Sequence, residues 1–218
     1  MAPRCRDYLT EEQVSADIII RADLYKPSKY PDLDMNGVAY LESCIQFCSQ
    51  LLNHGGFYLH SSAVSVDGRA YLFSGPSGMG KSTHTRLWKQ ILGEDAQVFN
   101  DDKPALRKLD GKWYAYGTPW CGKDGINQNR KVPVAGICFL RRGQENMIRD
   151  LAPLDATARI LSQTIRKFKS PERLDLLLNL VNDLVREVPV YELYNRPETE
   201  AAWLSYTTMR DKAEELGL

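Results

Sequence analysis

The sequence lacks a long apolar run and an excess of charge of either sign, and each absence excludes a class of protein. No apolar run approaches the roughly 20 residues that a membrane-spanning helix needs. The 28 basic and 28 acidic residues cancel, so no broad basic face for nucleic acid is expected. We therefore expect a protein that binds neither membrane nor nucleic acid.

The N-terminus lacks the apolar core of a secretory signal, and the five cysteines form no CxxC pair. These absences predict free thiols and a cytoplasmic location. Cys44 and Cys48 lie four residues apart on a predicted helix, either as small core residues or, if other ligands converge, as metal ligands. Cys121 has no evident base in the sequence and receives no role.

The stretch Gly75–Ser82 fits the phosphate-binding pattern GxxxxGK[ST] at every fixed position. It follows an apolar strand, 70–74, and precedes a helix, 82–92, which is the context that this pattern requires. The alternative is a glycine turn that binds nothing. The pattern assigns a nucleotide's phosphates to Gly75, Pro76, Ser77, Gly78, Met79, Gly80, Lys81, Ser82 and Thr83, with Lys81 at the terminal phosphates and the Ser82 hydroxyl on Mg²⁺.

Apolar periodicity and turn residues predict the remaining elements. Asp67-Gly68 and Asp110-Gly111 are typical of hairpin turns. The predicted strands are 17–21, 57–66, 69–74, 97–102, 105–109, 112–116, 132–140, 146–151 and 188–193. The predicted helices are 38–52, 82–92, 154–168, 171–186 and 197–216. Residues 1–16 are expected to be loosely ordered and without chemistry. In the absence of repeats or linkers, we expect one domain, 1–218, with a motif-bearing core, 55–142, and a helical part, 153–218.

Asp101 and Asp102 close an apolar strand soon after the phosphate pattern, where a metal ligand or a base is expected. Turn chemistry is the alternative, because Asn-Asp-Asp precedes Lys-Pro. His60 lies on the strand before the pattern and is either catalytic or simply packed.

The polar loop, residues 117–131, is long for a compact domain and contains a Trp and a Cys. It is either an exposed connection or a binding loop. For the second case, the candidate substrate-binding residues are Trp120, Lys123, Asn127, Asn129 and Arg130. The basic run at 166–169 is interpreted as a solvated helix end, with phosphate contact as the alternative.

His60, the glycine pattern and the Asp101-Asp102 pair, in that order, resemble the C-terminal kinase domain of HPr kinase/phosphorylase. The resemblance covers about residues 55–142 and implies an α/β fold: a P-loop domain with a mixed sheet flanked by helices, related to phosphoenolpyruvate carboxykinase. It implies ATP and Mg²⁺ as cofactors, with His60, Lys81, Asp101 and Asp102 catalytic and Ser82, Asp101 and Asp102 at the metal. It also implies homo-oligomers, for which Trp120 or Trp203 could serve as an exposed contact. The family's later glycine signature is replaced here by Gly117–Gly125.

These observations favour a kinase that transfers the γ-phosphoryl group of ATP to a hydroxyl acceptor, a serine of a protein or peptide or a small molecule. Two alternatives remain. One is carboxykinase-like phosphotransfer, for which the sequence shows no additional metal cluster or arginine-rich acceptor site. The other is a non-catalytic nucleotide-binding switch, which needs the glycine pattern but no base.

Overall fold

The computed structural model describes residues 2–12, 15–164 and 170–218 and is organised around a mixed β-sheet. Its strands are Gly56–Tyr58 (β1), Ser61–Val66 (β2), Arg69–Ser74 (β3), Gln97–Asn100 (β4), Ala105–Leu109 (β5), Lys112–Tyr116 (β6), Lys131–Arg142 (β7), Met147–Asp150 (β8) and Val190–Asn195 (β9). Its α-helices are Ala2–Cys5 (α1), Met35–Leu51 (α2), Lys81–Leu92 (α3), Pro153–Ser162 (α4), Pro171–Glu187 (α5) and Thr199–Leu216 (α6).

Strand β7 joins the antiparallel part of the sheet to its parallel part, because its two halves pair with different neighbours. Its first residues pair antiparallel with β6, and its later residues pair parallel with β3 and with β9. The strand order is β1-β5-β6-β7-β3-β2-β4, with β9 also on β7 and β8 on β9. Residues 134–140 are almost continuously apolar and buried, as expected for a strand that is covered on both faces.

Helices cover both faces of this sheet. Successive side chains of a strand point to opposite faces, so neighbouring residues contact different helices. Leu72 and Ile137 face α4 and α5, whereas Phe73 and Cys138 face α3 and α6. The predicted α/β class, a mixed sheet flanked by helices, is therefore confirmed. Both predicted hairpins are also confirmed, and Asp67 and Asp110 adopt positive φ angles of 50° and 49° in their turns.

Two predicted strands are wrong. The stretch 57–66 is divided between β1 and β2, because the N–H groups of Leu59 and His60 donate to the carbonyls of Pro104 and Gln163, outside the β2 ladder. Residues 17–21 form no strand. The backbone of this segment bonds instead to Gln46 and Gln50 on α2, and Ile19 remains 62% exposed.

Helix α4 is shorter than the predicted 154–168, ending at Ser162. The basic run interpreted as a solvated helix end lies outside the described residues; it consists of Arg166, Lys167, Phe168 and Lys169. The start of α5 at Pro171 is confirmed.

A fully buried carboxylate, that of Glu192 on β9, ties α4 to the sheet. It accepts hydrogen bonds from Arg141 on β7, Arg149 on β8 and Arg159 on α4. Burial alone would raise the pKa of Glu192, but the hydrogen bonds from Arg149 and Arg141 more than offset this and hold the pKa below its ordinary value. Tertiary structure thus brings together an arginine cluster that the sequence did not reveal. This cluster holds α4, the helix that ends beside His60, against the sheet.

Helices α3 and α6 meet at a buried polar contact. The Nε2 atom of His84 lies 2.9 Å from the hydroxyl of Ser205, which also accepts a hydrogen bond from the Trp88 indole N–H. The His84 ring packs on Phe73, with a centroid distance of 4.5 Å. Burial lowers the pKa of His84 to about 3, so the ring is neutral in the folded protein.

We expect the free energy of unfolding to decrease as the pH falls below about 6.5, because the unfolded chain then binds a proton at His84 that the folded chain does not. The folded pKa lies below the unfolded one, so this contribution is complete above pH 6.5 and is lost at about 1.4 kcal/mol per pH unit below it. Urea unfolding between about pH 7.5 and pH 5 measures the slope. The His84→Gln variant should lose this share of it; equal slopes in the two proteins would contradict the prediction.

Candidate functional site

The glycine loop, residues 75–82, connects the end of β3 to the start of α3. Gly75, Gly78 and Gly80 have φ angles of 142°, 77° and 95°, which L side chains rarely adopt. A Cβ added at Gly78 or Gly80 would meet nothing within 4 Å, so the loop borders open space. The glycines are needed for the backbone path, which leaves room for a ligand close to the main chain.

Donor groups collect on the open side of this loop. The first N–H groups of α3, those of Lys81, Ser82 and Thr83, have no acceptor within the helix, and the helix dipole places partial positive charge at them. Among the described residues, none accepts a hydrogen bond from the N–H of Ser77 or Gly80. The loop and helix therefore fit an anion such as a phosphate.

The ammonium group of Lys81 completes the loop. Its Nζ donates to the carbonyls of Gly75 at 2.9 Å and Pro76 at 3.2 Å, and the side chain is buried. Burial lowers the pKa of Lys81, and the negative charge of Asp102 acts in the opposite direction. These carbonyl contacts hold the charge at the loop, from which it can move to a bound anion.

The two adjacent carboxylates, Asp101 and Asp102, point to different places. Asn100 makes the turn that separates them: its side-chain oxygen accepts from the N–H groups of Asp102 at 3.1 Å and Lys103 at 2.8 Å. Asp101 accepts from the Gly122 N–H at 2.6 Å. Burial raises the pKa of Asp101, although that hydrogen bond acts against the shift. The turn chemistry of Asn100 is therefore present, and it directs the two carboxylates to different surroundings.

Asp102 is held by three side chains. Its Oδ1 lies 3.2 Å from His60 Nε2, and its Oδ2 accepts from the Tyr40 hydroxyl at 2.9 Å and from the Lys103 ammonium. Lys103 also donates to the Tyr40 oxygen at 2.8 Å. The pKa of Lys103 is raised: burial opposes the shift, but the Asp102 charge and hydrogen bond dominate. The carboxylate is fixed in position and its charge is balanced by the partly buried ammonium of Lys103.

His60 links this carboxylate to α4. Its Nδ1 lies 3.2 Å from the Gln163 side-chain oxygen, and its backbone N–H donates to the Gln163 carbonyl at 2.8 Å. The pKa of His60 is lowered by burial and by the charge of Lys81, while Asp102 acts in the opposite direction. The imidazole is thereby oriented between Asp102 and the C-terminal end of α4.

The cavity at the glycine loop shares lining residues with each of two other cavities. The loop cavity, about 450 Å³, is lined by residues including Lys81, Ser82, Asp101 and His60. The Tyr40 cavity, about 400 Å³, contains Asp102 and shares Lys123 with the loop cavity. On the other side, the Arg142 cavity, about 370 Å³, shares residues 78, 80 and 83 with the loop cavity.

A family model described as SynChlorMet cassette protein ScmC matches residues 27–196 of the 218-residue chain. The chain belongs to the ScmC family. The match does not show membership of the HPr kinase/phosphorylase family, so that resemblance stays a prediction. No curated protein sequence matches the chain.

One solved structure similar to this ScmC family member is the Hpr(Ser) kinase/phosphatase from Coxiella burnetii. The two share 13% sequence identity and superpose with a TM-score of 0.42, over 73% of this chain and 92% of that chain. A likeness of this degree assigns neither an activity nor the role of any residue.

The structure separates the predicted substrate-binding residues of this ScmC family member. Lys123 lines the loop cavity, but Trp120, Asn127, Asn129 and Arg130 do not. Asn127 donates to the Arg4 carbonyl at 2.7 Å, Asn129 to the Asp7 carbonyl at 3.1 Å, and Arg130 to the Gln97 side chain at 2.6 Å. These side chains fasten the polar loop to the N-terminal segment and to β4.

The expectation that Trp120 is exposed is wrong. It is 4% exposed, packs on Phe47 with a ring distance of 4.7 Å, and donates its indole N–H to Ser43 on α2. The exposure of Trp203, at 47%, agrees with the prediction. Trp120 therefore anchors the polar loop to α2 rather than offering a surface to a partner.

The cysteines of α2 belong to the same packed cluster. Cys44 and Cys48 are buried against Trp120, with their sulfur atoms 3.8 Å apart, and all five cysteines are free thiols. Over residues 2–12, 15–164 and 170–218, no group of three or more His, Cys, Asp or Glu side chains is arranged for a metal. The core interpretation of the pair is the one that fits.

Several site residues were not found by sequence reasoning. Lys103 follows Asp102 directly and could have been noticed. Tyr40 and Gln163 carry no local signal, because chain folding alone brings them to Asp102 and His60. The N-terminal segment was expected to be loosely ordered, but Arg4 donates to the Cys121 carbonyl at 2.8 Å and contributes to the Tyr40 cavity.

In the part of the chain described here, no helix is long and apolar enough to cross a membrane.

Proposed function

We propose that the chain is an ATP- and Mg²⁺-dependent phosphotransferase that moves the γ-phosphoryl group to a hydroxyl acceptor. One observation carries the proposal: Asp101 lines the cavity of the glycine loop, and Asp102 lines the adjoining cavity. A kinase needs one carboxylate on the nucleotide side and one on the acceptor side of the transferred group. A nucleotide-binding switch needs no carboxylate on the second side.

The loop residues are suited to hold the triphosphate. The N–H groups of the loop and of the first turn of α3 donate to phosphate oxygens, and Lys81 neutralises charge on the group being transferred. Ser82 and Asp101 would hold Mg²⁺, which supplies further charge neutralisation when bound. Two protein ligands are enough, because this ion usually retains waters and binds phosphate oxygens.

Asp102 is suited to receive the proton of the acceptor. The acceptor oxygen attacks the γ-phosphorus, the bond from phosphorus to the β–γ bridging oxygen breaks, and the acceptor proton passes to Asp102. Lys103 and Tyr40 fix one oxygen of this carboxylate, and His60 positions the other. Orientation of the hydroxyl and exclusion of alternative geometries are the main contributions of such a base.

The Arg142 cavity is suited to the nucleoside. It adjoins the glycine loop on the side away from Asp102, which is where the rest of a nucleotide would extend. Met79 and Leu87 offer apolar surface there, and Arg142 and Asn195 offer polar groups. Nucleoside, phosphates and acceptor would then occupy the three cavities in sequence.

The test is transfer of label from γ-labelled ATP, with and without Mg²⁺, to serine peptides, hydroxy acids, sugars and simple alcohols. We expect at least one hydroxyl acceptor to be phosphorylated, and chelation of Mg²⁺ to abolish the transfer. If ATP binds but no acceptor is labelled, the switch alternative replaces this proposal. If the label appears only on a carboxylate or an enolate, the carboxykinase-like alternative does.

A further inference from the structure

The Tyr40 cavity is built by three parts of the chain that are distant in sequence. The N-terminal segment contributes Arg4, the first helical turns of α2 contribute residues 36, 37 and 40, and the polar loop contributes residues 121–123. Asp102 lies in the same lining. The volume of the Tyr40 cavity, about 400 Å³, suits a small molecule rather than a folded partner.

Charge in this cavity is not balanced. The carboxylate of Asp102 is already paired with the partly buried ammonium of Lys103. Arg4 and Lys123 remain, and no described carboxylate lies within 4 Å of either cation. The cavity therefore presents two unneutralised cations beside the residue that would receive the acceptor proton.

Arg4 is held so that most of its donors stay available. One terminal nitrogen donates to the Cys121 carbonyl at 2.8 Å, and the guanidinium lies over the Tyr40 ring, 5.0 Å from its centroid. Asn127 fixes the backbone of Arg4 by a 2.7 Å hydrogen bond to its carbonyl. A guanidinium has five N–H donors, so one carbonyl contact leaves a donor fork for a ligand.

We propose that the Tyr40 cavity binds a small acceptor that carries an anionic group on the same molecule as its hydroxyl. Arg4 and Lys123 bind the anionic group, and the hydroxyl is thereby directed to Asp102. This inference rests on the proposed phosphotransfer. Because a carboxylate and a phosphate are both anions that can accept two parallel hydrogen bonds from a guanidinium, both belong to the inferred class.

The test uses three-carbon probes of similar size: glycerate, glycerol 3-phosphate, glycerol and 2-amino-1,3-propanediol. We expect glycerate or glycerol 3-phosphate to have a kcat/KM at least about 10-fold above that of neutral glycerol, and the amine to be the poorest acceptor. The preferred anion distinguishes a carboxylate from a phosphate acceptor. A preference for glycerol, for the amine or for an uncharged serine peptide would overturn the inference.

Variants then locate the binding group. Arg4→Gln should raise KM for the preferred anionic probe about 10- to 100-fold with little change in kcat, and Arg4→Lys should restore part of the loss. Lys123→Gln should act in the same direction. Arg6→Gln changes an exposed arginine two residues away and should leave KM unchanged. An unchanged KM in Arg4→Gln, with normal thermal unfolding, would reject the role of Arg4.

A binding measurement separates this inference from the proposed function. Calorimetric titration of glycerate and of glycerol 3-phosphate into the nucleotide-free chain should show binding that Arg4→Gln weakens and Arg6→Gln does not. If such binding occurs without phosphoryl transfer, the proposed function fails while the anion site stands. If transfer occurs to acceptors that need no anionic group, the anion site fails while the phosphotransferase stands.

Discussion

The Lys81→Met variant should lose phosphoryl transfer by about three orders of magnitude, one of the two large effects that we expect from a single side chain. Lys81 is the buried cation of the glycine loop, and its Nζ is held 2.9 Å from the Gly75 carbonyl. Methionine keeps the length and the apolar stem of the lysine but removes the charge. The variant thereby removes the buried cation that contacts the glycine loop. Single-turnover transfer from labelled ATP measures the loss.

Lys89→Met is the matched control, because Lys89 lies two turns further along α3 and is exposed. It should retain wild-type transfer and nucleotide affinity. In Lys81→Met, nucleotide affinity should fall as well, while thermal unfolding stays close to wild type because burial of an ammonium is itself unfavourable. Full activity and full nucleotide affinity in this variant would refute the assignment of the glycine loop.

The parts of the fold that were predictable are those fixed by local chemistry. Asp67-Gly68 and Asp110-Gly111 supply the positive φ angles of tight hairpin turns. The sequence pattern of the glycine loop likewise predicts the strand before it and the helix after it. Residues 17–21 show the limit of this reasoning. Their isoleucines have high strand propensity, but the adjacent α2 offers Gln46 and Gln50 to the backbone, and tertiary context decides.

The candidate site divides in the same way. Lys81, Asp101 and His60 were predicted because each lies at a strand end or a loop with a recognisable pattern, and the structure brings them to one cavity. Trp120 was misjudged because a lone tryptophan in a polar loop does not reveal the α2 surface that covers it. Tyr40 could not be predicted, since its contact with Asp102 spans 62 positions in sequence.

The different roles that we propose for the two carboxylates give the second large effect. Asp102→Asn should lower turnover about 10²- to 10⁴-fold with nucleotide affinity nearly unchanged, because the variant removes only the proposed proton acceptor on the acceptor side. Asp101→Asn should also lower turnover, but it should raise the Mg²⁺ concentration needed for half-maximal rate. Excess Mg²⁺ should therefore recover part of the activity in Asp101→Asn and none in Asp102→Asn.

The Asp102→Asn variant also leaves the ammonium of Lys103 without its carboxylate, so a loss of folding has to be distinguished from a loss of chemistry. The side chains of Asp102 and Lys103 are 18% and 17% exposed, and breaking such a pair should cost about 1–3 kcal/mol of unfolding free energy. The double variant Asp102→Asn/Lys103→Met removes both charges and should regain stability without regaining turnover. Recovery of turnover in the double variant would mean that Asp102 acts only by neutralising Lys103. Wild-type turnover in Asp102→Asn would exclude Asp102 as the base.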